Sequence, residues 1–409
     1  MSGKWPGGFI NKTAPTVVGP TDGEGGSASG IWTLDQVADY ESKGLWPMAT
    51  LDRELYAWGQ NTYGQVGDGT TTNRNSPVQV GALTNWLNIA CGYAMTIATK
   101  TDGTLWSWGY NNYGQLGTNN TTNYSSPVQV GALTNWAQSA GGQDHSIVTT
   151  TDGKLYSFGH NYNGQLGLGN TTNYSSPVQV GALTNWSKPA CGKSHCLVVK
   201  TDGTLWAWGR GNTPFGGGGQ LGQGNTTTYS SPVQIGGLTT WSKPACGDYF
   251  SLAITTDGKL YAWGYNAQGQ LGVGNTTSYS SPVQVGALTT WADVSGGNLH
   301  TLAVKTDGTL WAWGMNNYGQ LGLGNTTNYS SPVQVGALTT WSKPAGLRTA
   351  SGVLKTDGTL WGMGWNGYGE LGTSNTTTYN SPVQVGALTT WSVIAQGSTR
   401  YYQAAITKG

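Results

Sequence analysis

The sequence predicts an all-β protein, a seven-bladed β-propeller whose blades are four-stranded antiparallel sheets. First, the segment Ser-Pro-Val-Gln-Val-Gly-Ala-Leu-Thr-Thr-Trp, or a close variant, begins at residues 76, 126, 176, 231, 281, 331 and 381. The step is 50 residues, with one step of 55, and such a period is typical of a repeat architecture. Second, 66 Gly, 20 Trp and 21 Tyr in 409 residues favour turns and strands. Third, the terminal copies are both incomplete, and together they make one whole unit.

Each complete copy contains four strand signals. Asp307 and Gly308 separate two β-rich runs, which is a strong hairpin signal because Gly accepts the positive φ of such a turn. Pro332 lacks a backbone donor and is expected at a strand start or on a sheet edge. In the copy that starts at Trp291, the predicted strands are 291–297, 300–305, 309–314 and 331–336.

The ends of the chain predict how the ring closes. Residues 53–59 supply a third strand that no first or second strand precedes, and a fourth follows it. Residues 391–409 supply a first and a second strand and nothing more. We expect N- and C-terminal strands to pair in the seventh blade, which removes two exposed sheet edges.

The repeat resembles a known family. Residues 296–322 contain Gly-Gly-x-x-His-Thr, Asp-Gly, Trp-Gly and Gly-Gln-Leu-Gly in order, and this pattern runs through all copies over about residues 53–407. It is similar to the repeat of the regulator of chromosome condensation family. The resemblance implies a seven-bladed propeller. It does not imply one function, because relatives include nucleotide-exchange factors, ubiquitin-ligase modules and a secreted β-lactamase inhibitor.

Composition excludes several classes of partner. The net charge is +1 and only 9% of residues are charged, so the chain lacks the basic surplus that binds nucleic acid or anionic membranes. No segment approaches the roughly 18 apolar residues of a membrane span, so we expect no membrane insertion. The N-terminal segment has no apolar core of signal-peptide length, which favours synthesis in a cytoplasm.

The sequence predicts no catalytic residues, no cofactor and no metal site, and therefore a protein that is not an enzyme. Three histidines could be metal ligands, but the same repeat position holds Met, Phe, Ala or Arg in other copies, which favours a packing position. The members are His145, His195 and His300, with Met95, Phe250, Ala350 and Arg400 elsewhere. Cys91, Cys191 and Cys246 share a position with Gly and are expected to be packed thiols rather than disulfides.

Variable loops predict the binding surface. Connections of one face differ between copies, whereas the Thr-Asp-Gly and Gly-Ala-Leu-Thr turns of the other face hardly change. Aromatic residues, Arg and Met are common in protein–protein hot spots, although some of these rings could simply cover blade edges. After the third strand stand Gln60, Tyr110, His160, Arg210, Tyr265, Met315 and Trp365. Between the first and second strands stand Tyr93, Asp144, Lys193, Tyr249, Leu299 and Arg348, and Phe215 lies on the longest loop.

Paired aromatic residues on the third strands are predicted to fill the space between blades. The pairs are Trp106 with Trp108, Trp206 with Trp208, Tyr261 with Trp263, and Trp311 with Trp313.

Residues 1–52 match no copy and form a predicted attachment arm. Thr33 and Gln36 make a capping box, so one short helix is expected at about 34–43. Residues 31–47, which end in Gly-Leu-Trp-Pro, resemble an N-terminal stretch of bacteriophage virion proteins of tail-fibre or appendage type. The apolar residues predicted to make the attachment are Trp5, Phe9, Ile31, Trp32, Val37, Tyr40 and Trp46.

These features lead to a hypothesis of function. We expect a non-enzymatic phage structural protein located in the virion, which binds other virion proteins through its arm and an additional protein or host-surface receptor through the propeller, and which assembles as an oligomer. The alternatives are an extracellular bacterial binding or inhibitor propeller and a self-assembling surface protein.

Overall fold

The computed structural model describes residues 53–396 and 401–408, and every regular element in these ranges is a β-strand. The chain divides into two units between Leu51 and Asp52. The helix predicted at 34–43 lies outside the described residues, and so do the predicted attachment residues Trp5, Phe9, Ile31, Trp32, Val37, Tyr40 and Trp46. None of the described residues forms a helix with the length and apolar character needed to span a bilayer.

Seven four-stranded antiparallel sheets confirm the predicted propeller. The first strands are β3 (Trp86–Cys91), β7 (Trp136–Gly141), β11 (Trp186–Cys191), β15 (Trp241–Cys246), β19 (Trp291–Gly296), β23 (Trp341–Gly346) and β27 (Trp391–Ile394). The second strands are β4 (Met95–Lys100), β8 (His145–Thr150), β12 (His195–Lys200), β16 (Phe250–Thr255), β20 (His300–Lys305), β24 (Ala350–Lys355) and β28 (Tyr402–Thr407).

The outer half of each blade completes the sheet. The third strands are β1 (Leu55–Gly59), β5 (Leu105–Gly109), β9 (Leu155–Gly159), β13 (Leu205–Gly209), β17 (Leu260–Gly264), β21 (Leu310–Gly314) and β25 (Leu360–Gly364). The fourth strands are β2 (Arg74–Gln79), β6 (Tyr124–Gln129), β10 (Tyr174–Gln179), β14 (Tyr229–Gln234), β18 (Tyr279–Gln284), β22 (Tyr329–Gln334) and β26 (Tyr379–Gln384).

The ring closes as predicted, through strands from both ends of the chain. The closing sheet has the order β2-β1-β28-β27, with Leu55 opposite Ile406 and Gly59 opposite Tyr402. The Thr407 amide donates to the Glu54 carbonyl at 3.0 Å. The seventh blade therefore has the same four strands as the others.

The fourth strand lies two residues earlier than the sequence predicted. It was expected at 331–336 and runs from Tyr329 to Gln334, so Pro332 is inside it. Its partner is the third strand, and the register shifts between Ala312 and Gly314. Proline is tolerated because this strand is the outer edge of the blade and its free side needs no donor.

Tryptophan rings pack the interfaces between blades. Trp108 and Trp313 are fully buried, and the Trp108 indole nitrogen donates to the Gln65 carbonyl of the preceding blade at 3.0 Å. The predicted partner ring Trp106 is only half-buried, so one member of each predicted pair is core and the other covers the blade edge. A further ring, which the sequence did not predict to be core, belongs to the Trp that begins every first strand. Trp86 is fully buried and Trp291 is 3% exposed.

The first strands surround a central cavity of about 310 Å³. Its wall includes Asn88, Gly141, Cys191, Cys246 and Lys343, which come from five different first strands.

Candidate binding face

The connections of the ring lie on two faces. The loop face carries the loops between first and second strands and the loops between third and fourth strands. The turn face carries the Thr-Asp-Gly and Gly-Ala-Leu-Thr turns, which are joined by bonds such as that from the Thr101 amide to the Asn85 carbonyl at 2.9 Å.

A buried asparagine shapes the long loops of the loop face. Asn111 is fully buried, and its Oδ1 accepts a hydrogen bond from the Leu116 amide at 2.9 Å. Its Nδ2 donates to the carbonyls of Asn120 and Thr122 at 3.1 and 2.9 Å. A side chain that satisfies several loop backbone groups at once fixes the path of the loop. The equivalent residues are Asn61, Asn161, Asn266, Asn316 and Asn366.

The residue before this asparagine position is tied to the neighbouring loop. The Tyr110 amide donates to the Ala94 carbonyl at 2.9 Å, and the His160 amide donates to the Asp144 carbonyl at 2.8 Å. The same bond occurs at Gln60, Arg210, Tyr265, Met315 and Trp365. The two sets of residues that vary between copies are therefore adjacent on one face.

Aromatic rings form a continuous arc over three blades of this face. The ring centroids of Tyr63 and Tyr110 are 4.8 Å apart, and those of Tyr110 and Tyr113 are 6.4 Å apart. The arc continues from Tyr113 to His160 at 4.6 Å and from His160 to Tyr162 at 4.5 Å. Tyr162, at the end of the arc, is 67% exposed. Such rings offer apolar area together with polar tips.

A second cluster includes the predicted residues Trp365, Arg348 and Tyr93. The Trp365 ring lies 5.2 Å from Tyr368 and 4.7 Å from Tyr401. The Arg348 guanidinium lies 5.5 Å from the Tyr401 ring and donates to the Tyr93 hydroxyl at 3.3 Å. A cation over aromatic rings is a common arrangement at interfaces.

The long loop of residues 211–219 presents a third aromatic group. Phe215 is 66% exposed, and its ring centroid lies 5.7 Å from Tyr249 and 6.0 Å from Tyr265. Asn212 pairs with Gly218, so the loop projects as a small hairpin. Tyr249 also lies 5.2 Å from the Lys193 ammonium.

Charged residues lie between these aromatic groups. Burial raises the pKa of both Asp144 and Asp248 to about 6, and the Lys193 ammonium acts in the opposite direction on each. Arg348 also lowers the pKa of Asp248, and Asn298 donates a hydrogen bond to that carboxyl. The loop face therefore combines aromatic rings with a small set of interacting charges.

Not every predicted contact residue is accessible. Gln60 is 7% exposed and Tyr249 is 5% exposed, so these two side chains mainly contact neighbours within the ring. The remaining predicted residues except Phe215 are half-buried. Five further aromatic residues of this face were not predicted, and four of them lie two or three residues beyond the predicted position after the third strand. They are Tyr63, Tyr113, Tyr162, Tyr368 and Tyr401. The aromatic residues in these variable loops were the sequence signal that could have predicted them.

The three histidines occupy one buried repeat position. All are fully buried, and burial lowers the pKa of His145 and His195 to about 3 and of His300 to about 4. The seventh equivalent is Tyr402, opposite Gly59, so the sequence assignment of Arg400 to this position was wrong. The last copy has a longer connection between its first and second strands than the other copies, so counting residues from the first strand gave the wrong position.

Comparison with known proteins decides the family. Residues 184–409 match the RCC1-like domain, and residues 52–99, 102–149 and 152–199 each match the regulator of chromosome condensation (RCC1) repeat. The chain belongs to the RCC1-like family. Human and mouse E3 ubiquitin-protein ligase HERC2 are each 46% identical to this RCC1-like chain over 54 residues, 13% of this chain. The match spans about 1% of the length of these curated relatives.

Solved structures share the fold of this RCC1-like chain. Human WBSCR16 is 23% identical, with a TM-score of 0.77 over 87% of this chain and 99% of that one. Yeast RCC1 (Prp20), in a structure with Kap60, is 19% identical, with a TM-score of 0.77 over 88% of this chain and 89% of that one. Prp20p from Saccharomyces cerevisiae, in a study of its binding to Gsp1p and histones, is 19% identical, with a TM-score of 0.77, and the match covers 90% and 94% of the two chains.

Proposed function

We propose that this protein is a non-enzymatic structural component of a bacteriophage particle. The propeller binds a second protein or a host-surface component through its loop face, and residues 1–52 attach it to other virion proteins. The observation that carries the proposal is the grouping of Tyr, Trp, His and Arg side chains on the face whose loops differ between copies. The connections of the turn face are nearly identical in all copies and offer no comparable diversity.

The chemistry of the loop face supports binding rather than a reaction. Rings such as Tyr110 and Tyr113 are held by neighbours and lose little conformational entropy when a partner covers them. The neighbouring charges, Asp144, Lys193, Asp248 and Arg348, can orient that partner. The virion context rests on the resemblance of residues 31–47 to phage tail-fibre and appendage proteins.

Paired substitutions on the two faces test the binding surface. We expect Tyr110→Ala with Tyr113→Ala to weaken binding to host cells or particles at least 30-fold, because hot-spot losses are about 2 kcal/mol or more. The matched control replaces Leu133 and Leu183 on the turn face, which are 45% and 47% exposed. Binding can be measured with labelled full-length protein. Equal binding by the loop-face variant and wild type would contradict the proposal.

Deletion of residues 1–47 tests the attachment arm separately. We expect phage particles to assemble but not to incorporate the shortened chain, although the isolated propeller keeps its fold. Mass spectrometry of purified particles measures incorporation, and circular dichroism checks the fold. Full incorporation of the shortened chain argues against a virion attachment role for the arm.

One observation favours a second candidate, a self-assembling surface protein. The turn face carries an exposed leucine in every copy, and their exposed fractions are 39–49%. Loss of self-association in the Leu133 and Leu183 variant, measured by sedimentation, with host binding unchanged, favours this candidate. The residues are Leu83, Leu133, Leu183, Leu238, Leu288, Leu338 and Leu388.

A further inference from the structure

Three soft donor atoms converge at one junction between blades. His145 belongs to β8, and Cys191 and Cys196 belong to the next blade, on β11 and β12. His145 Nε2 lies 3.1 Å from Cys196 Sγ, and the two sulfurs are 3.5 Å apart. All three donor atoms lie within 4.8 Å of one another, and all three residues are buried.

The other two histidine junctions have a different environment. His195 Nε2 lies 3.0 Å from the Ser251 hydroxyl, and His300 Nε2 lies 2.9 Å from the Ser351 hydroxyl. A cysteine, Cys246, stands opposite Ser251, so the His195 junction has one thiol where the His145 junction has two. The three junctions therefore form a natural series that differs in the number of sulfur donors.

Packing alone does not explain Cys196. The Cys196 thiol lies 3.4 Å from the Gln165 carbonyl. At the equivalent place in other blades a Ser or Thr hydroxyl reaches the corresponding carbonyl at 2.7–2.8 Å. A thiol is the weaker donor, so a hydroxyl would satisfy this carbonyl better. The sulfur is therefore retained at a cost in hydrogen bonding.

We propose that His145, Cys191 and Cys196 bind one thiophilic metal ion, Zn²⁺ or Cu(I). Thiolate sulfur and imidazole nitrogen are the donors that these ions prefer. Tetrahedral coordination at usual zinc bond lengths places two sulfurs about 3.8 Å apart and a sulfur and a nitrogen about 3.5 Å apart. The Cys196 sulfur needs to move away from His145 Nε2 and from the Cys191 sulfur by only a few tenths of an ångström. The donor atoms of His145 and Cys191, which lie within 4.8 Å of each other, need to adopt a nitrogen–sulfur distance of about 3.5 Å.

The charge balance favours zinc over copper. Binding replaces the protons of Cys191 and Cys196, which leave as two H⁺, while the neutral His145 ring donates the Nε2 electron pair. Two thiolates and Zn²⁺ form a neutral group, whereas two thiolates and Cu(I) carry one negative charge. A buried uncompensated charge is costly, so the neutral zinc group suits this interior position.

The central cavity gives the ion a route to the site. Cys191, Ala140 and Gly141 line this cavity, and Cys191 is 4% exposed. Cys191 is the member of the group that lines the cavity, whereas His145 and Cys196 do not line it.

Metal titration of the reduced full-length protein tests the site. We expect one Zn²⁺ per chain in competition with a chromophoric chelator, and thiolate-to-metal charge-transfer bands when Co²⁺ is the probe. The variant Cys196→Ser, which installs the residue of three other copies, should lose this binding and keep its fold. Cu(I) titration against its own chelator identifies which ion binds more tightly.

Two further variants keep the proposal falsifiable. The matched control Cys246→Gly, also copied from other blades, should still bind one ion. Ser251→Cys adds a second sulfur beside His195 and should raise the stoichiometry to two. Zn²⁺ should raise the melting temperature of wild type and leave that of Cys196→Ser unchanged, because only a native-state ligand stabilises the fold. Equal metal binding by wild type and Cys196→Ser, or no binding by wild type, overturns the proposal.

Discussion

One buried loop position holds glutamine in six copies and Glu370 in the seventh. Gln320 Oε1 accepts a hydrogen bond from the Tyr318 amide at 2.9 Å, and Glu370 Oε2 accepts the equivalent bond from Tyr368 at 3.0 Å. Glu370 is 1% exposed. Burial raises the pKa of Glu370 from 4.5 to about 8, although backbone amides act in the opposite direction. The protonated acid therefore takes the place of an amide near neutral pH.

The titration of Glu370 predicts a pH-dependent loss of stability. Below pH 4.5 the carboxyl is protonated in both the folded and the unfolded state, so it makes no difference. Between pH 4.5 and about 8 only the unfolded state releases the proton, and wild type loses up to about 1.4 kcal/mol per pH unit. Glu370→Gln should therefore be more stable than wild type by an amount that grows up to about pH 8.

Urea denaturation at the two ends of this pH range measures the effect. The converse variant Gln320→Glu is the matched control, because it places a second buried carboxyl in an equivalent loop and should lose stability over the same range. A stability difference between Glu370→Gln and wild type that does not change with pH would refute this explanation.

Within each blade, the type of the last residue of the second strand correlates with the type of the first aromatic residue of the third strand: Lys occurs with Trp, and Thr occurs with Tyr. Lys305 lies 3.6 Å from the centroid of the Trp311 ring, which is a close cation–π contact. Where the third strand has Tyr261, the second strand ends in Thr255 instead. The Lys–Trp pairs are Lys100 with Trp106, Lys200 with Trp206, Lys305 with Trp311, and Lys355 with Trp361. The Thr–Tyr pairs are Thr150 with Tyr156, Thr255 with Tyr261, and Thr407 with Tyr56.

This matching predicts coupling between Lys305 and Trp311. We expect Lys305→Thr to cost about 0.5–2 kcal/mol, the range of a cation–π contact, since Lys305 is 9% exposed. In the Trp311→Tyr background the same change should cost less. A double-mutant cycle from denaturation curves measures the difference. Additive effects in this blade, like those expected for the distant combination Lys305→Thr with Trp206→Tyr, would contradict the coupling.

Strands were predictable from the sequence because hairpin signals repeat in every copy. Asp307 and Gly308 mark the turn of one such hairpin, and alternation marks the third strand. The start of the fourth strand at Tyr329 was missed because the register shift beside Gly314 depends on how two strands meet, which no local pattern encodes. The burial of the tryptophan that begins each first strand was not predicted, because a residue beside a turn has no alternation that marks its buried face.

The candidate site was predictable only in part. Variation between copies located Tyr110 and Trp365 on one face. The burial of Gln60 and Tyr249 was not predictable, because it depends on the path of neighbouring loops that the buried asparagines determine. The cluster of His145 and Cys196 was not predictable either, since these residues are 51 positions apart and meet only where two blades pack.

At the scale of the whole molecule, the seventh blade is equivalent to the other six. The Glu54 amide lies 3.1 Å from Thr407 Oγ1, and Leu55 pairs with Ile406 as Leu105 pairs with Thr99 in the first complete blade. Over the described residues, the seventh blade thus has the same strand pairing as the other blades.

A circular permutant tests this equivalence. The variant joins Thr407 to Glu54 through Thr-Asp-Gly, the turn used in the other blades, and opens new ends between Asp202 and Gly203. We expect it to fold with a stability close to that of the native propeller, because the cut only moves from one blade to an equivalent one. Circular dichroism and urea denaturation provide the measurement.

A truncation provides the contrast to the permutant. Removal of residues 401–409 deletes β28, which leaves β1 paired only with β2 and leaves β27 without a partner strand. We therefore expect aggregation or loss of a cooperative unfolding transition. A truncated chain that unfolds at the same urea concentration as the full chain would show that ring closure contributes nothing to stability.

The blade shared by β1, β2, β27 and β28 has a genetic consequence. Recombination between near-identical coding repeats removes or adds one period of codons and preserves the reading frame. Each product keeps the two half-blades at its chain ends, so the strands equivalent to β1 and β28 can still pair. Blade number can therefore change during evolution one unit at a time, and selection acts on rings of different circumference rather than on broken ones.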